Sequence, residues 1–242
     1  MVRAVLFDMG GTLDGDGQHW LDRFVALYAD AGLRRPREAL RQAFDEAERR
    51  GAVDPSIETA CFAEMVGRHV DWQLEHLGER DNAALRRRLV DGFLGPARAA
   101  ATANVRLLAA LAARGLQLGV VSNGCGNVDV LCEDLGYAPY LAAIVDSRRV
   151  GLYKPDPAIF IYAAARLGEA PSDVMMVGDS FDRDIRPARS VGMVTAWLEG
   201  PTPRPCPDAS LVDVRLRALA ELAAVEAFDA RPSVRAVGSP LS

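Results

Sequence analysis

Short, near-continuous apolar runs alternate with longer stretches of helical period along most of this chain of 242 residues. Strands are predicted over 5–7 (VLF), 117–122 (QLGVVS), 142–145, 173–177 (DVMMV), 192–197 and 210–214. Between residues 18 and 95 no strand pattern occurs. That block predicts four helices, over 19–31, 37–50, 58–77 and 83–93; Trp20, Phe24, Leu27 and Tyr28 recur at helical spacing in the first, and Gly32 ends it. Pro36 and Gly51 bracket the second helix. Beyond the Ala-rich 97–103, helices are predicted over 105–114, from the Asn123-Gly124 turn to 135, and over 156–167, 182–191 and 215–228. Apolar strands without polar alternation, separated by helices, imply an α/β fold with a parallel sheet covered on both faces. The helical block after the first strand reads as an insertion, giving a core of 1–17 and 96–228 around a helical unit of 18–95. Residues 229–242 mix Pro, Gly, Ser and Arg without period and are expected to be disordered. Within the block, Trp72, Phe62 and Met65 read as core, while Trp20, Phe24, Trp72 and His69 fit either pocket wall or core.

Composition narrows the function classes. Half the residues are hydrophobic, and 28 basic against 33 acidic residues give a net charge of −5. Arg86-Arg87-Arg88 is the one basic cluster of note and fits a solvated helix face, so nucleic acid is not expected as a partner. The four cysteines (Cys61, Cys125, Cys132, Cys206) lack paired spacing, which argues against a zinc site or a disulfide framework and fits a reducing compartment. The first strand starts almost at once and no apolar run reaches membrane-span length. The expectation is a soluble cytoplasmic protein with no membrane partner, its oligomeric state left open.

Candidate chemistry sits at the ends of the predicted strands. The first delivers Asp8 into Gly10 and Gly11, with Thr12 just beyond. The second ends in Ser122-Asn123-Gly124, a loop after the third carries Lys154-Pro155-Asp156-Pro157, and the fourth ends in Gly178-Asp179-Ser180 with Asp184 following. In a parallel sheet these ends share one edge, so the groups converge. Asp8, Asp179 and Asp184 in one small volume require a neutralising cation, and oxygen-only ligands favour Mg2+. Ser122 and the amides of its turn suit phosphate oxygens. Lys154, the only lysine in the chain, offers the remaining positive charge.

These four motifs resemble, in order and spacing, the haloacid dehalogenase-like (HAD) hydrolases, from residue 5 to about residue 214. The resemblance implies a Rossmann-like core with the block 18–95 as an inserted all-helical cap that closes over the site and selects a small phosphorylated substrate. It implies Asp8 as nucleophile forming an aspartyl-phosphate, Lys154 as charge balancer, and Thr12, Ser122, Asn123 and Gly124 as the substrate-binding set. It also implies a magnesium site made by Asp8, the carbonyl of Gly10, Asp179 and Asp184.

One position departs from the phosphatase pattern. Where those enzymes carry a second aspartate as general acid and base, two residues past the nucleophile, this chain has Gly10. Such a donor is typically worth ~10²- to 10⁴-fold in rate. Three readings remain open. The chain is a phosphatase whose acid comes from elsewhere (Asp14, Asp16 and His19 lie just downstream) or whose leaving group needs little protonation. Or it is a dehalogenase on the same nucleophile, which needs no leaving-group proton but also no metal. Or it is a binding domain without useful turnover. Phosphonate cleavage calls for a Schiff-base lysine in the cap, and residues 18–95 contain no lysine.

Overall fold

The computed structural model describes residues 1–225. Six parallel strands form one sheet in the order β3-β2-β1-β4-β5-β6. They are β1 (Ala4–Phe7), β2 (Gln117–Ser122), β3 (Ala143–Asp146), β4 (Val174–Gly178), β5 (Val194–Leu198) and β6 (Val214–Leu216). The chain runs outward from β1 through β2 to β3, then returns to lay β4 against the other edge of β1. Strand order therefore reverses at β1, and a crevice opens at the carboxyl ends of β1, β2 and β4.

Pleat alternation divides the interior. Val5, Phe7, Met175 and Val177 join a large apolar cluster on one face, and Ala4, Leu6, Val174 and Met176 join a second cluster on the other. Helix α7 (Ala158–Leu167) covers the second face with Ile159, Phe160, Ala163 and Ala164. The first face packs on α5 (Val128–Asp134) and on the end of a long helix, α4 (Ala83–Ala113). Short α6 (Ser147–Val150) and α8 (Arg186–Ser190) complete the core. Among the described residues no helix is long and apolar enough to cross a membrane.

Between β1 and β2 stand α1 (Trp20–Asp30), α2 (Arg37–Gly51), α3 (Phe62–His76) and the first half of α4, the helical insertion expected from the sequence. The separate helices expected over 83–93 and 105–114 are one helix of 31 residues. The Ala-rich stretch between them is a strong helix former and carries the helix on past Pro96. Proline removes the hydrogen bond that its N–H would make to the Gly92 carbonyl, and in the same turn the Phe93 carbonyl accepts from Arg23 Nη2 at 3.1 Å. The expected boundary at 95/96 falls at this proline.

The C-terminal elements also differ. Residues 209–211 form a short turn capped by Asp208, so the strand starts later, as β6, paired to β5 with Trp197 opposite Arg215. The helix expected from 215 is a 3₁₀ segment over Leu219–Ala224; the rest of that helix and the tail lie outside the described residues.

Candidate active site

Asp8 ends β1, and the chain then makes a wide turn over Met9–Leu13 with Gly10 extended (φ −76°, ψ 118°) and Gly11 left-handed (φ 88°). A Cβ on Gly11 would lie 2.7 Å from Asp179 Oδ2, so only glycine lets the β1 turn and the β4 turn close on each other. Gly178 does the same for Asp184, whose Cβ sits 2.5 Å from where a Gly178 Cβ would be. Both constraints serve one result: Asp8, Asp179 and Asp184 are buried and present oxygens within 4.8 Å of one another.

Lys154 stands among them, with Nζ donating to Asp8 Oδ1 at 2.5 Å and to Asp184 Oδ1 at 2.7 Å. Burial works against its charge, and the two carboxylates more than reverse this, raising its pKa. The Asn123 side chain fixes the lysine's backbone, Nδ2 donating to the Lys154 carbonyl and Oδ1 accepting from its N–H, both at 2.8 Å. Thr12 Oγ1 donates to Asp8 Oδ2 at 3.4 Å and accepts the Asp179 N–H at 3.2 Å. The Asp179 carbonyl is held from β5 by Trp197 Nε1 at 3.1 Å.

One positive charge for three carboxylates leaves the site short. Asp179 Oδ1 is buried without a partner, and burial, then Asp8 and Asp184, push its pKa well above the usual carboxylate range. Asp184 is raised to about 6, by burial first, with Lys154 opposing. An orphaned carboxylate oxygen in an all-oxygen cluster fits a hard divalent cation. Below the folded value of about 6 the folded protein holds a proton on Asp184 that the unfolded chain releases from about 3.8. The contribution of Asp184 to stability without metal therefore falls as pH rises through that window. A cation must displace the same protons. Mg2+ is thus expected to raise Tm little at pH 5 and more, by several degrees, at pH 7.5; thermal melts with Mg2+ and with chelator check this, and an increment independent of pH would contradict it.

A cavity of about 130 Å³ opens over the carboxylates between sheet and insertion. Asp8, Gly10, Ser122, Asn123, Gly124, Lys154 and Asp184 line its floor; Trp20, Phe44, Phe62, Met65, His69 and Trp72 line its walls. Thr12 does not: fully buried, it serves the carboxylates from beneath. Phe62 and Met65 join the core as expected and also border the cavity, Trp72 lines it, and Phe24 is core, stacked on His69 and Phe93. Cys125 also lines it, with its thiol pushed up to about 12 by burial, consistent with a filler.

The three downstream groups separate. Asp16 turns away, accepting the Leu219 N–H at 2.6 Å. Asp14 lies in the wall, but Oδ1 accepts from Gly11 N–H and Oδ2 from Trp20 Nε1, both at 2.6 Å, with Arg23 Nη1 at 3.6 Å. Burial raises its pKa against the opposing Arg23 charge; every group touching it is a donor, the setting of a carboxylate that clamps its loop. His19 caps α1 through Nδ1 and places Nε2 2.9 Å from Arg183 Nη2. Burial and then Arg183 lower its pKa, leaving it neutral at pH 7. Arg183 and Glu48 are cavity residues that the sequence did not single out. Arg183 was reachable from its place between Asp179 and Asp184, whereas Glu48 is one of several acids in its helix.

Known proteins resemble this chain in sequence and fold. A family model for haloacid dehalogenase-like hydrolases matches residues 2–192. Phosphoglycolate phosphatase of Salmonella typhi is 32% identical over 209 residues, 81% of each chain. Phosphoserine phosphatase of Thermus thermophilus is 36% identical over 115 residues; that match spans 45% of each chain, under half the length of the relative. Among solved structures, a HAD phosphatase from Thermococcus onnurineus matches with a TM-score of 0.53 at 25% identity, covering 91% of this chain and 96% of that one. The chain belongs to the haloacid dehalogenase-like hydrolases.

Proposed function

We propose that this protein is a magnesium-dependent phosphatase of small phosphorylated molecules, working through an aspartyl-phosphate on Asp8. The observation that carries it is the orphaned Asp179 Oδ1 among three buried carboxylates with one lysine. A metal-free hydrolase has no use for that surplus charge. Phosphatases among the relatives support the substrate class.

Asp8, Asp179, Asp184 and the Gly10 carbonyl would hold Mg2+, which when bound draws charge from the phosphoryl oxygens. Asp8 attacks phosphorus from the floor of the cavity, and the bond from phosphorus to the leaving oxygen breaks with its electron pair on that oxygen. Lys154 offsets charge on Asp8 before attack and on the phosphoryl group during it. Ser122 and the amides of its turn, with Gly124, hold the phosphoryl oxygens, while Asn123 keeps Lys154 in register. Water then attacks the aspartyl-phosphate, releasing phosphate and restoring Asp8. The insertion, residues 18–95, acts as the cap that closes over the leaving group.

Residue 10 decides which leaving groups depart. With glycine there, and with Asp14 and Asp16 committed to other bonds, the turn after Asp8 supplies no acid to protonate an alkoxide. Aryl and acyl phosphates, whose leaving oxygens need little protonation, are expected to turn over about 10²-fold or more faster than alkyl phosphates. Gly10 has an ordinary φ, and a Cβ there would stand 3.5 Å from Trp20 Nε1, an ordinary contact, so the backbone accepts a side chain at this position. Gly10→Asp is expected to raise alkyl-phosphate turnover by about 10²-fold. Steady-state rates on matched alkyl and aryl esters check both statements; equal rates in the wild type, or no gain in the variant, would show that another group holds the acid role.

Gly10 and the apolar walls favour one second reading, hydrolysis of a 2-haloacid at Asp8, since halide leaves without a proton. Halide release independent of metal separates it from phosphatase action.

A further inference from the structure

The cap carries a buried polar relay that the phosphatase chemistry does not use. Tyr28 OH donates to Gln73 Oε1 at 3.3 Å, Gln73 Nε2 lies 2.8 Å from His69 Nδ1, and His69 Nε2 lies 3.0 Å from Glu48 Oε1. Tyr28 and Gln73 are fully buried, and His69 is 5% exposed. The direction is set by the chemistry. With its oxygen taken by Tyr28, the Gln73 amide presents N–H to His69 Nδ1; His69 must then carry its proton on Nε2 and donate to Glu48. Aromatic rings box the imidazole: Phe24 stacks on it with centroids 5.5 Å apart, Phe44 lies at 5.0 Å and Trp20 at 5.7 Å.

The relay ends in a carboxylate facing the cavity. The Glu48 side chain is 55% exposed, lines the cavity, and has no partner for Oε2 among the described residues. Burial works against its charge, but the bond from His69 together with the nearby His19 and Arg183 outweighs it and its pKa is lowered, so it is ionised at neutral pH. Three buried polar side chains in an aromatic core are costly unless their bonds are complete. Here the last member is left with a free, ionised oxygen.

We propose that Glu48 is a substrate-recognition group that selects phosphate esters whose leaving group carries a cationic nitrogen. His69 and Gln73 act as positioning residues. The walls supply the other half of the fit: Phe44 stands one turn before Glu48 on α2, and Phe62 and Trp72 line the same space. An ammonium group meeting a carboxylate beside aromatic faces is doubly favoured, while a leaving-group carboxylate is repelled. Lys154 belongs to the floor, while Arg183 lines the cavity beside His19 and near enough to act on the Glu48 charge, leaving Oε2 as the side of that carboxylate open to a ligand. This proposal deepens the phosphatase reading and rests on it only for turnover, not for binding.

The test uses three esters of one size: tyramine O-phosphate, 4-ethylphenyl phosphate and 4-(carboxymethyl)phenyl phosphate. Binding is measured by calorimetry on the full chain carrying Asp8→Asn, with Mg2+, and kcat/KM is measured on the wild type. Tyramine phosphate is expected to bind about tenfold tighter than the carboxymethyl ester, the size of an attraction gained and a repulsion avoided at a half-exposed charge. Glu48→Gln should bring the ratio to within about threefold, and Glu48→Lys should reverse it. Glu48 is half exposed, and a thermal melt verifies that each variant is folded. A ratio near one in the parent, or one that survives Glu48→Gln, overturns the proposal. If the binding order holds while the wild type releases no phosphate from any ester, Glu48 recognition stands and the phosphatase reading fails. Turnover of all three esters without charge preference overturns Glu48 recognition and leaves the phosphatase reading standing. No binding of any ester at millimolar concentration overturns both.

Discussion

Asp8→Asn is expected to lower phosphate release by about 10⁴- to 10⁶-fold, the scale at which loss of a nucleophile is felt. The amide is a poor nucleophile, but its size matches, and Asn Oδ1 can still accept from Lys154 Nζ, which lies 2.5 Å from the carboxylate. Removing one of three crowded carboxylates also relieves repulsion, since Asp8 is among the groups raising the pKa of both Asp179 and Asp184. The variant should therefore fold with Tm equal to or above that of the metal-free wild type. Loss of turnover in a protein that melts no earlier assigns the effect to chemistry. Phosphate-release kinetics beside a thermal melt make the check, and a fall in rate below tenfold would remove Asp8 from the nucleophile role.

Lys154→Met should strike stability and activity together. The methionine keeps the volume and loses the cation between Asp8 and Asp184, leaving three buried carboxylates without a positive partner. Removing one side of a buried pair costs about 3–5 kcal/mol, which for a domain of this size is a fall in Tm of about 6–20 °C. The sign with pH follows from the acids. The folded pKa values of Asp179 and Asp184 lie above the unfolded 3.8, with Asp184 at about 6 even beside the lysine. At pH 5 they take up protons and shed the repulsion, so the deficit should be smaller there than at pH 7.5. Mg2+ should recover part of it at pH 7.5 by supplying the missing charge. Melts of both proteins across pH measure this; an unchanged Tm would mean that the carboxylates are already protonated and that no charged site exists.

How far the sequence reveals this molecule depends on whether a feature is local. The strands are legible because each is an apolar run closed by a polar turn, and β1, β2 and β4 lie within a residue or two of expectation. Convergence of Asp8, Lys154, Asp179 and Asp184 follows from parallel strands sharing one edge. Helix α4 reads as two because Pro96 is a local stop signal, overridden by the alanines after it, while Arg23, far away in sequence, bonds a carbonyl of the same turn. The roles of Thr12 and Asn123 as scaffolding depend on partners 167 and 31 residues distant, which no local pattern encodes. Glu48 illustrates the limit best. Its helix, REALRQAFDEAERRG, pairs an apolar face (Leu40, Ala43, Phe44, Ala47) with several acids, and the His69 contact from another helix is what marks Glu48 out. Gly10, by contrast, is plain in the sequence, and the structure adds that Asp14 and Asp16 are committed elsewhere.

Phosphate release from 4-nitrophenyl phosphate, followed with Mg2+ and with chelator in parallel with halide release from a 2-haloacid, tests the central claim most directly. Phosphate release that requires the metal, with no halide, is expected. Halide release with the chelator present, and no phosphate under either condition, would contradict it.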